Sequence, residues 1–294
     1  MPTEAALKLP TRSVRAARAR GDASPFIKWV GGKGKLLTQL ETLLPRGVHL
    51  MRHVEPFLGG GALFFSRAPR RSLLCDVNRD LIETYVAVRD EVDSVLGELR
   101  QLARIHGEDS YYAARERYNR RGHDSRAERA ALFIYLNKTC FNGLYRVNRS
   151  GHFNVPMGRY AKPAIADADT LIAASAGLAR AELRCSPFES LLSDAKPGDF
   201  VYLDPPYEPV SRTANFTAYA SDGFSQVDQT RLRDVFRELD RRGSRLMLSN
   251  SDVPFIRELY RGYQIDVVSA TRAVNCDPTA RGKVQELVVR NYKR

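Results

Sequence analysis

Cysteine is scarce in this 294-residue chain: Cys75, Cys140, Cys185 and Cys276, with no C-x-x-C pair among them. That excludes a disulfide scaffold and speaks against a structural zinc site, so no metal is expected and a reducing cytoplasm is the expected location. Also missing is any apolar run near the roughly 18 residues that a membrane span requires, so a soluble protein with no membrane partner is expected. Met1 to Arg20 carry scattered arginine and none of the apolar stretch of a secretory signal. Internal repeats and low-complexity tracts are absent as well. What the chain has in excess is positive charge, 46 Lys and Arg against 34 Asp and Glu, net +12. A hydrophobic fraction of 43% supplies a real core and excludes a disordered chain. The surplus is concentrated, with twelve Lys and Arg against five Asp and Glu between Arg100 and Tyr160. A basic surface gathered in one segment suits a polyanion, nucleic acid above all, although a solvated helical face has the same composition.

The pattern along the chain is that of an α/β domain with a basic helical insert. Residues 1–22 read as a basic flexible extension. Leu36, Leu37, Leu40, Leu43 and Leu44 are spaced for a helix. His53-Val54-Glu55-Pro56-Phe57-Leu58-Gly59-Gly60-Gly61 is a short strand running into a glycine turn that opens a helix. A second strand, Ser72-Leu73-Leu74-Cys75, ends at Asp76, and the two form a βαβ unit laid out like a nucleotide-type cofactor pocket. From Leu81 to about Ala130 the pattern is helical and charged, followed by an Asn/Arg/Gly-rich stretch to Tyr160. Strands resume at Phe200–Leu203, Arg245–Ser249, Ile265–Ser269 and Val284–Val289, the last two predicted as an antiparallel hairpin at the sheet edge. The expected division is 23–84 with 184–294 as the α/β domain and 85–183 as the helical insert.

Each motif has a functional and a plainer reading. The glycine turn brings backbone close to a ligand or is only tight. It is not the dinucleotide fingerprint, whose third glycine would fall at Phe64; nor is Gly31 to Lys35 a phosphate loop, since Leu36 stands where Ser or Thr is required. Asp76 accepts from vicinal ribose hydroxyls or caps a helix, with Asn78 and Asp80 as rivals for the cap. The strongest feature is Asp204-Pro205-Pro206-Tyr207. Two prolines stop the strand, leaving a rigid corner with a carboxylate, the Pro205 carbonyl and an aromatic ring at the edge where α/β sheets bind ligands. Two acceptors, one on each N–H of an aromatic amine, would pull the nitrogen toward tetrahedral geometry and expose its lone pair. The plainer alternative is a stiff turn bearing a solvated Asp.

These segments resemble the alpha-group DNA adenine methyltransferases, of the Dam type. The resemblance rests on Lys28-Trp29-Val30-Gly31-Gly32-Lys33, Glu55 to Gly61, Asp76-Val77-Asn78 and Asp204 to Tyr207 in that order. It is tightened by Tyr135-Leu136-Asn137-Lys138, Phe141 to Asn148, Phe153 to Pro156, Thr213 to Thr217 and Leu248 to Asp252. It runs from about Pro25 to Tyr292. The implied fold is α/β: the class I S-adenosylmethionine-dependent methyltransferase fold, a mixed seven-stranded sheet with helices on both faces and an inserted helical target-recognition domain.

The implied reaction moves a methyl group from S-adenosylmethionine to the amino nitrogen of a flipped-out adenine in duplex DNA, with GATC as the implied site. By resemblance, Trp29, Gly31, Gly32, Lys33, Glu55, Phe57, Gly59, Gly61, Asp76 and Asp204 line the donor pocket, and Asp204, Pro205, Pro206 and Tyr207 carry the catalysis. Lys28, Phe141, Asn142, Leu144 and Arg146 would read or distort the duplex. Arg149, with Arg159 and Lys162, would grip phosphates or be merely solvated, and Phe141 is a wedge between base steps or a core aromatic. Phosphate contacts from Arg272, Arg281 and Lys283 are a weaker expectation. The expected form is a monomer acting on double-stranded DNA near the nucleoid, alone or within a restriction–modification system. A DNA-binding module with a non-catalytic pocket, or a methyltransferase of RNA adenine, remains open at this point.

Overall fold

The computed structural model describes residues 23–120, 122, 125–210, 224–271 and 283–293. The basic extension, the Thr213–Thr217 motif, Arg272, the 275–278 segment and Arg281 lie outside the described residues. The rest forms two compact units, one of residues 29–82 with 180–293, the other of 23–28 with 83–179. The chain leaves the first unit after Ile82 and re-enters it just before a strand at Ala181–Cys185.

The first unit is built on seven strands: β1 (His53–Glu55), β2 (Ser72–Asp76), β3 (Ala181–Cys185), β4 (Phe200–Leu203), β5 (Arg245–Ser251), β6 (Gln264–Thr271) and β7 (Lys283–Arg290). Their order is β3-β2-β1-β4-β5-β7-β6. The first five are parallel, and β7 runs antiparallel to both its neighbours. The hairpin expected at the edge is β6–β7, paired from Gln264 opposite Arg290 to Thr271 opposite Lys283.

Alternation explains the central strands. Phe200 and Tyr202 of β4 pack on one face with Leu36, Leu40, Leu43 and Leu63; Val201 and Leu203 pack on the other with Leu232, Phe236 and Ile256. A strand covered on both faces reads as an unbroken apolar run, as Phe200–Leu203 does. Helices Leu37–Thr42 and Ala62–Arg67 serve the first face, Gln226–Arg241 and Pro254–Leu259 the second. This mixed seven-stranded sheet with helices on both faces is the class I methyltransferase fold implied above.

Two local outcomes differ from expectation. The helix expected over Leu36–Leu44 is a 3-10 turn, Lys33–Lys35, followed by Leu37–Thr42. β3 was not foreseen: it is an edge strand whose Glu182, Arg184 and Cys185 are not buried, so it lacks the apolar signature of its neighbours.

The second unit holds helices Val92–Arg104, Glu108–Arg120, Arg126–Thr139 and Ala168–Leu178. Ser125 opens the third with a capping box, its hydroxyl accepting from Glu128 N while Glu128 accepts from Ser125 N. Phe26 joins this unit by packing edge-on against Tyr85, ring centroids 4.9 Å apart.

Candidate active site

The site edge follows from register. His53 lies opposite both Ser72 and Phe200, so β2, β1 and β4 deliver Asp76, the glycine turn and Asp204 to the same carboxyl edge. The chain runs outward from β1 through β2 to β3 and then returns to β4 on the other flank of β1. That reversal is the switch point at which open α/β sheets bind ligands.

Within the glycine turn, Gly59 adopts φ +47°, and a Cβ there would stand 2.7 Å from Cδ1 of Trp29. Glycine is therefore demanded by the indole lying on it as well as by the left-handed backbone. Gly61 N donates to Leu58 O, 2.7 Å, and starts the Ala62–Arg67 helix. Asp76 is tied to this turn: Oδ2 accepts from Gly59 N (3.1 Å) and Oδ1 from Asn78 N (2.9 Å). The capping rivalry resolves to Asn78, whose Oδ1 accepts from Leu81 N at 3.0 Å. Asp76 is left as a carboxylate that burial pushes above its ordinary range in spite of the backbone N–H groups of Asn78, Gly59 and Val77.

The Gly31-Gly32-Lys33 loop reaches the proline corner. Lys33, 5% exposed, places Nζ 2.9 Å from Asp204 Oδ1 and donates to Gly31 O at 2.6 Å. The same ammonium stands 4.7 Å from the centre of the Tyr207 ring, a cation–π contact. Burial pushes the Asp204 carboxyl up to about 6; Lys33 pulls it down, while Glu286 and Glu55 push it up. Tyr207 donates its hydroxyl to Glu286 Oε2 of β7, 2.7 Å away. Lys33, expected in the donor pocket alone, is thus also the counter-ion of the Asp204 carboxylate.

Glu55 is held from below. Arg67 must donate to His53 Nδ1 (2.5 Å), so His53 carries its proton on Nε2 and donates it to Glu55 Oε1 (2.6 Å). Burial keeps the His53 ring neutral by lowering its pKa, and burial likewise lowers Arg67 to about 10. Phe57 packs into the core, stacked on Phe188 at 5.6 Å and edge-on to Phe224 at 5.8 Å.

Two residues given no role from the sequence, Gln229 and, within the Leu248–Asp252 motif, Asn250, stand directly behind the corner. Gln229 and Asn250 are each 0% exposed. Gln229 Nε2 donates to Pro206 O (3.0 Å) and its Oε1 accepts from Asn250 Nδ2 (3.1 Å). Asn250 Oδ1 accepts from Glu208 N at 3.1 Å. Their signal was present: Gln229 interrupts the apolar stripe formed with Leu232, Phe236 and Leu239, and Asn250 follows the apolar run of β5.

In the helical unit one asparagine ties Lys28 to the turn that follows Phe141 and Asn142. Asn137 Oδ1 accepts from Lys28 N (2.8 Å), and its Nδ2 donates to Lys28 O (2.8 Å) and Gly143 O (3.2 Å). Lys28 lies across Gly143, where a Cβ would come within 2.5 Å of its Cδ, and sets Nζ 4.0 Å from the Tyr160 ring centre. Phe141 is 51% exposed, so it is not a core aromatic. The adjacent Asn142 takes the left-handed conformation, φ 55°, which asparagine tolerates. Arg146 Nε donates to Asn154 Oδ1 at 2.8 Å. Leu144 is half-buried and Arg149 exposed. Among the described residues no group of three or more His, Cys, Asp or Glu could hold a metal ion, and no helix is long and apolar enough to cross a membrane.

Comparison with known proteins agrees with this geometry. The model of the D12 class N6 adenine-specific DNA methyltransferases matches residues 29–274. The type II methyltransferase M1.LlaDCHI of Lactococcus lactis subsp. cremoris is 41% identical, over 91% of this chain and 95% of its own length. The type II methyltransferase M.MjaIII of Methanocaldococcus jannaschii is 39% identical, over 92% and 100%. The DNA adenine methylase of Escherichia coli K12 is 37% identical, over 90% and 93%. A proline corner at the switch point of a seven-stranded sheet, together with these matches along nearly the whole chain, places the protein in the D12 class of N6 adenine-specific DNA methyltransferases.

Proposed function

We propose that the chain methylates the N6 amino group of an adenine flipped out of duplex DNA at GATC, acting as a monomer with S-adenosylmethionine as donor. The observation that carries this reading is the Asp204 corner, an acceptor-rich turn beside a glycine turn and an acidic strand end. The donor-site residues fit their group by chemistry. Burial raises the Asp76 carboxyl against its backbone N–H partners, and two hydroxyl donors from a ribose would help its ionised form. Trp29, lying on Gly59, offers a flat face beside it, and Gly31, Gly32, Gly61, Glu55 and Phe57 would complete the donor pocket.

Bound S-adenosylmethionine supplies an electrophilic methyl on a sulfonium, and the sulfur keeps the bonding electrons when the methyl leaves. The chain's work is to prepare the nitrogen. Asp204 and the Pro205 carbonyl each accept one N–H, Tyr207 backs the ring, and Pro206 stiffens the corner. A carboxyl near 6 is ionised at neutral pH and still basic enough to take the proton that the methylated nitrogen sheds. Flipping the base costs roughly a few kcal/mol, which Phe141 offsets by wedging into the stack. Lys28, Asn142, Leu144 and Arg146 read base edges, and Arg149 grips a phosphate. The helical unit is thus read as the target-recognition domain, and GATC rests on the resemblance of its 135–156 segments.

Mapping N6-methyladenine across the genome of an expressing host tests the site. The expected result is modification confined to GATC; a different motif overturns the specificity and leaves the reaction standing.

A further inference from the structure

We propose that Gln229 and Asn250 are positioning residues for methyl transfer: a buried amide relay that fastens the catalytic corner and leaves the Pro205 carbonyl for the substrate. This rests on the reading of Asp204–Tyr207 as the catalytic turn. The corner has a weakness built into its sequence. Pro205 and Pro206 have no N–H, so the backbone there cannot secure itself in a sheet ladder or a tight turn of its own. The only backbone hydrogen-bonding groups those two prolines offer are their carbonyls, and one of them is needed for the adenine.

The relay divides those tasks. Gln229 Nε2 donates to Pro206 O at 3.0 Å; among the described residues no donor reaches Pro205 O. Two residues on, Asn250 Oδ1 accepts from Glu208 N (3.1 Å) and Ser251 Oγ donates to Glu208 O (2.5 Å). The chain is therefore clamped on both sides of Tyr207, whose own hydroxyl is held by Glu286. An amide can face either way, and Asn250 decides which: by donating Nδ2 to Gln229 Oε1 at 3.1 Å, it forces the Gln229 NH2 toward Pro206. Asn250 is itself oriented because its Oδ1 also takes Ser251 N at 2.9 Å. Two fully buried amides with their ends matched make a rigid, single-state support. The chemistry needs one, since a misplacement of about 1 Å costs on the order of 10²-fold in rate.

The test is single-turnover methyl transfer on duplex DNA by Gln229→Met and Gln229→Glu, measured beside wild type and Asp204→Ala. Gln229→Met keeps the volume and removes both amide ends. It is expected to lose about 10–100-fold in rate with S-adenosylmethionine and DNA affinities within about twofold of wild type. Gln229→Glu keeps the shape and the acceptor for Asn250, and regains the donor to Pro206 only when protonated. The ratio of its rate to wild type should therefore rise as pH falls from 8 toward 6, because both share the Asp204 titration and only the variant regains a donor, a change that a merely structural role would not produce. Wild-type rates in Gln229→Met, or a Gln229→Glu profile parallel to wild type, overturn the relay. An active Asp204→Ala instead overturns the reading of the corner itself, so the two failures are distinguishable.

Discussion

Asp204 takes its cation from Lys33, and the corner behind it takes its hydrogen bonds from Gln229 and Asn250. All of these partners are distant in the chain. The 140–160 loop is tied at Phe153 and Val155 by Asn119 and Tyr111, and it adds ties of its own: Asn148 accepts from Ser150 N and His152 N, Asn154 holds Arg146, and Asn137 holds Gly143. A corner whose two prolines have no N–H has to borrow its support from the helix and the strand that carry Gln229 and Asn250, whereas a loop rich in asparagine also builds turns from its own side chains. The consequence is separability. Damage to the corner should abolish chemistry and spare DNA binding, and damage to the loop should change which DNA is bound and spare the chemistry.

The largest effect is expected from Asp204→Ala, which removes one of the two N–H acceptors. Methyl transfer should fall by at least about 10²–10³-fold, while affinity for duplex DNA stays within about twofold of wild type. A parallel loss of DNA affinity would break the comparison, because the corner would then be part of the binding surface.

A graded effect is expected from Lys33→Met. Protonating Asp204 turns an acceptor into a donor, so wild-type kcat/KM should fall as pH drops through about 6. Without the Lys33 ammonium, burial and the charges of Glu286 and Glu55 push the carboxyl higher still. The acid limb therefore moves to higher pH, with a loss of about tenfold at a fixed lower pH for each unit moved, and activity recovers under alkaline conditions. A pH–rate profile whose limb stays in place or moves down would remove Lys33 from control of Asp204.

What could be read from the sequence follows the same divide. Strand ends were legible because a strand buried on both faces is an apolar run broken abruptly by Gly, Pro or Asp, as at Glu55–Gly61, Asp76 and Asp204–Tyr207. Asp76 against Asn78 was not separable from spacing, since either side chain caps a helix; only Leu81 N choosing Asn78 decides it. β3 was missed because an edge strand with Glu182 and Arg184 has no apolar pattern to show. The pairing of Lys33 with Asp204 was hidden for another reason. Sequence shows both as motif members, but which charges meet is set by how the turn at Lys33–Lys35 folds back onto the end of β4. Gln229 and Asn250 were visible as polar residues on buried faces, yet their partners are backbone atoms, which no side-chain pattern reports.

The smallest and most selective effects belong to the loop. Arg146, held by Asn154 through its Nε, is oriented before any DNA arrives, as a side chain that reads a base edge has to be. Arg149 is exposed, and no described hydrogen bond or ion pair orients it, which is enough for a phosphate contact. Arg146→Ala should therefore cost about 1–3 kcal/mol of discrimination at one base pair, seen as methylation spreading to sites that differ there. Arg149→Ala should weaken binding to all sequences alike and lower the salt slope by about one unit. Salt titrations of cognate and single-substituted duplexes separate the two. Equal losses on both duplexes for both variants would mean that the loop grips without reading, and that orientation by Asn154 serves only the fold.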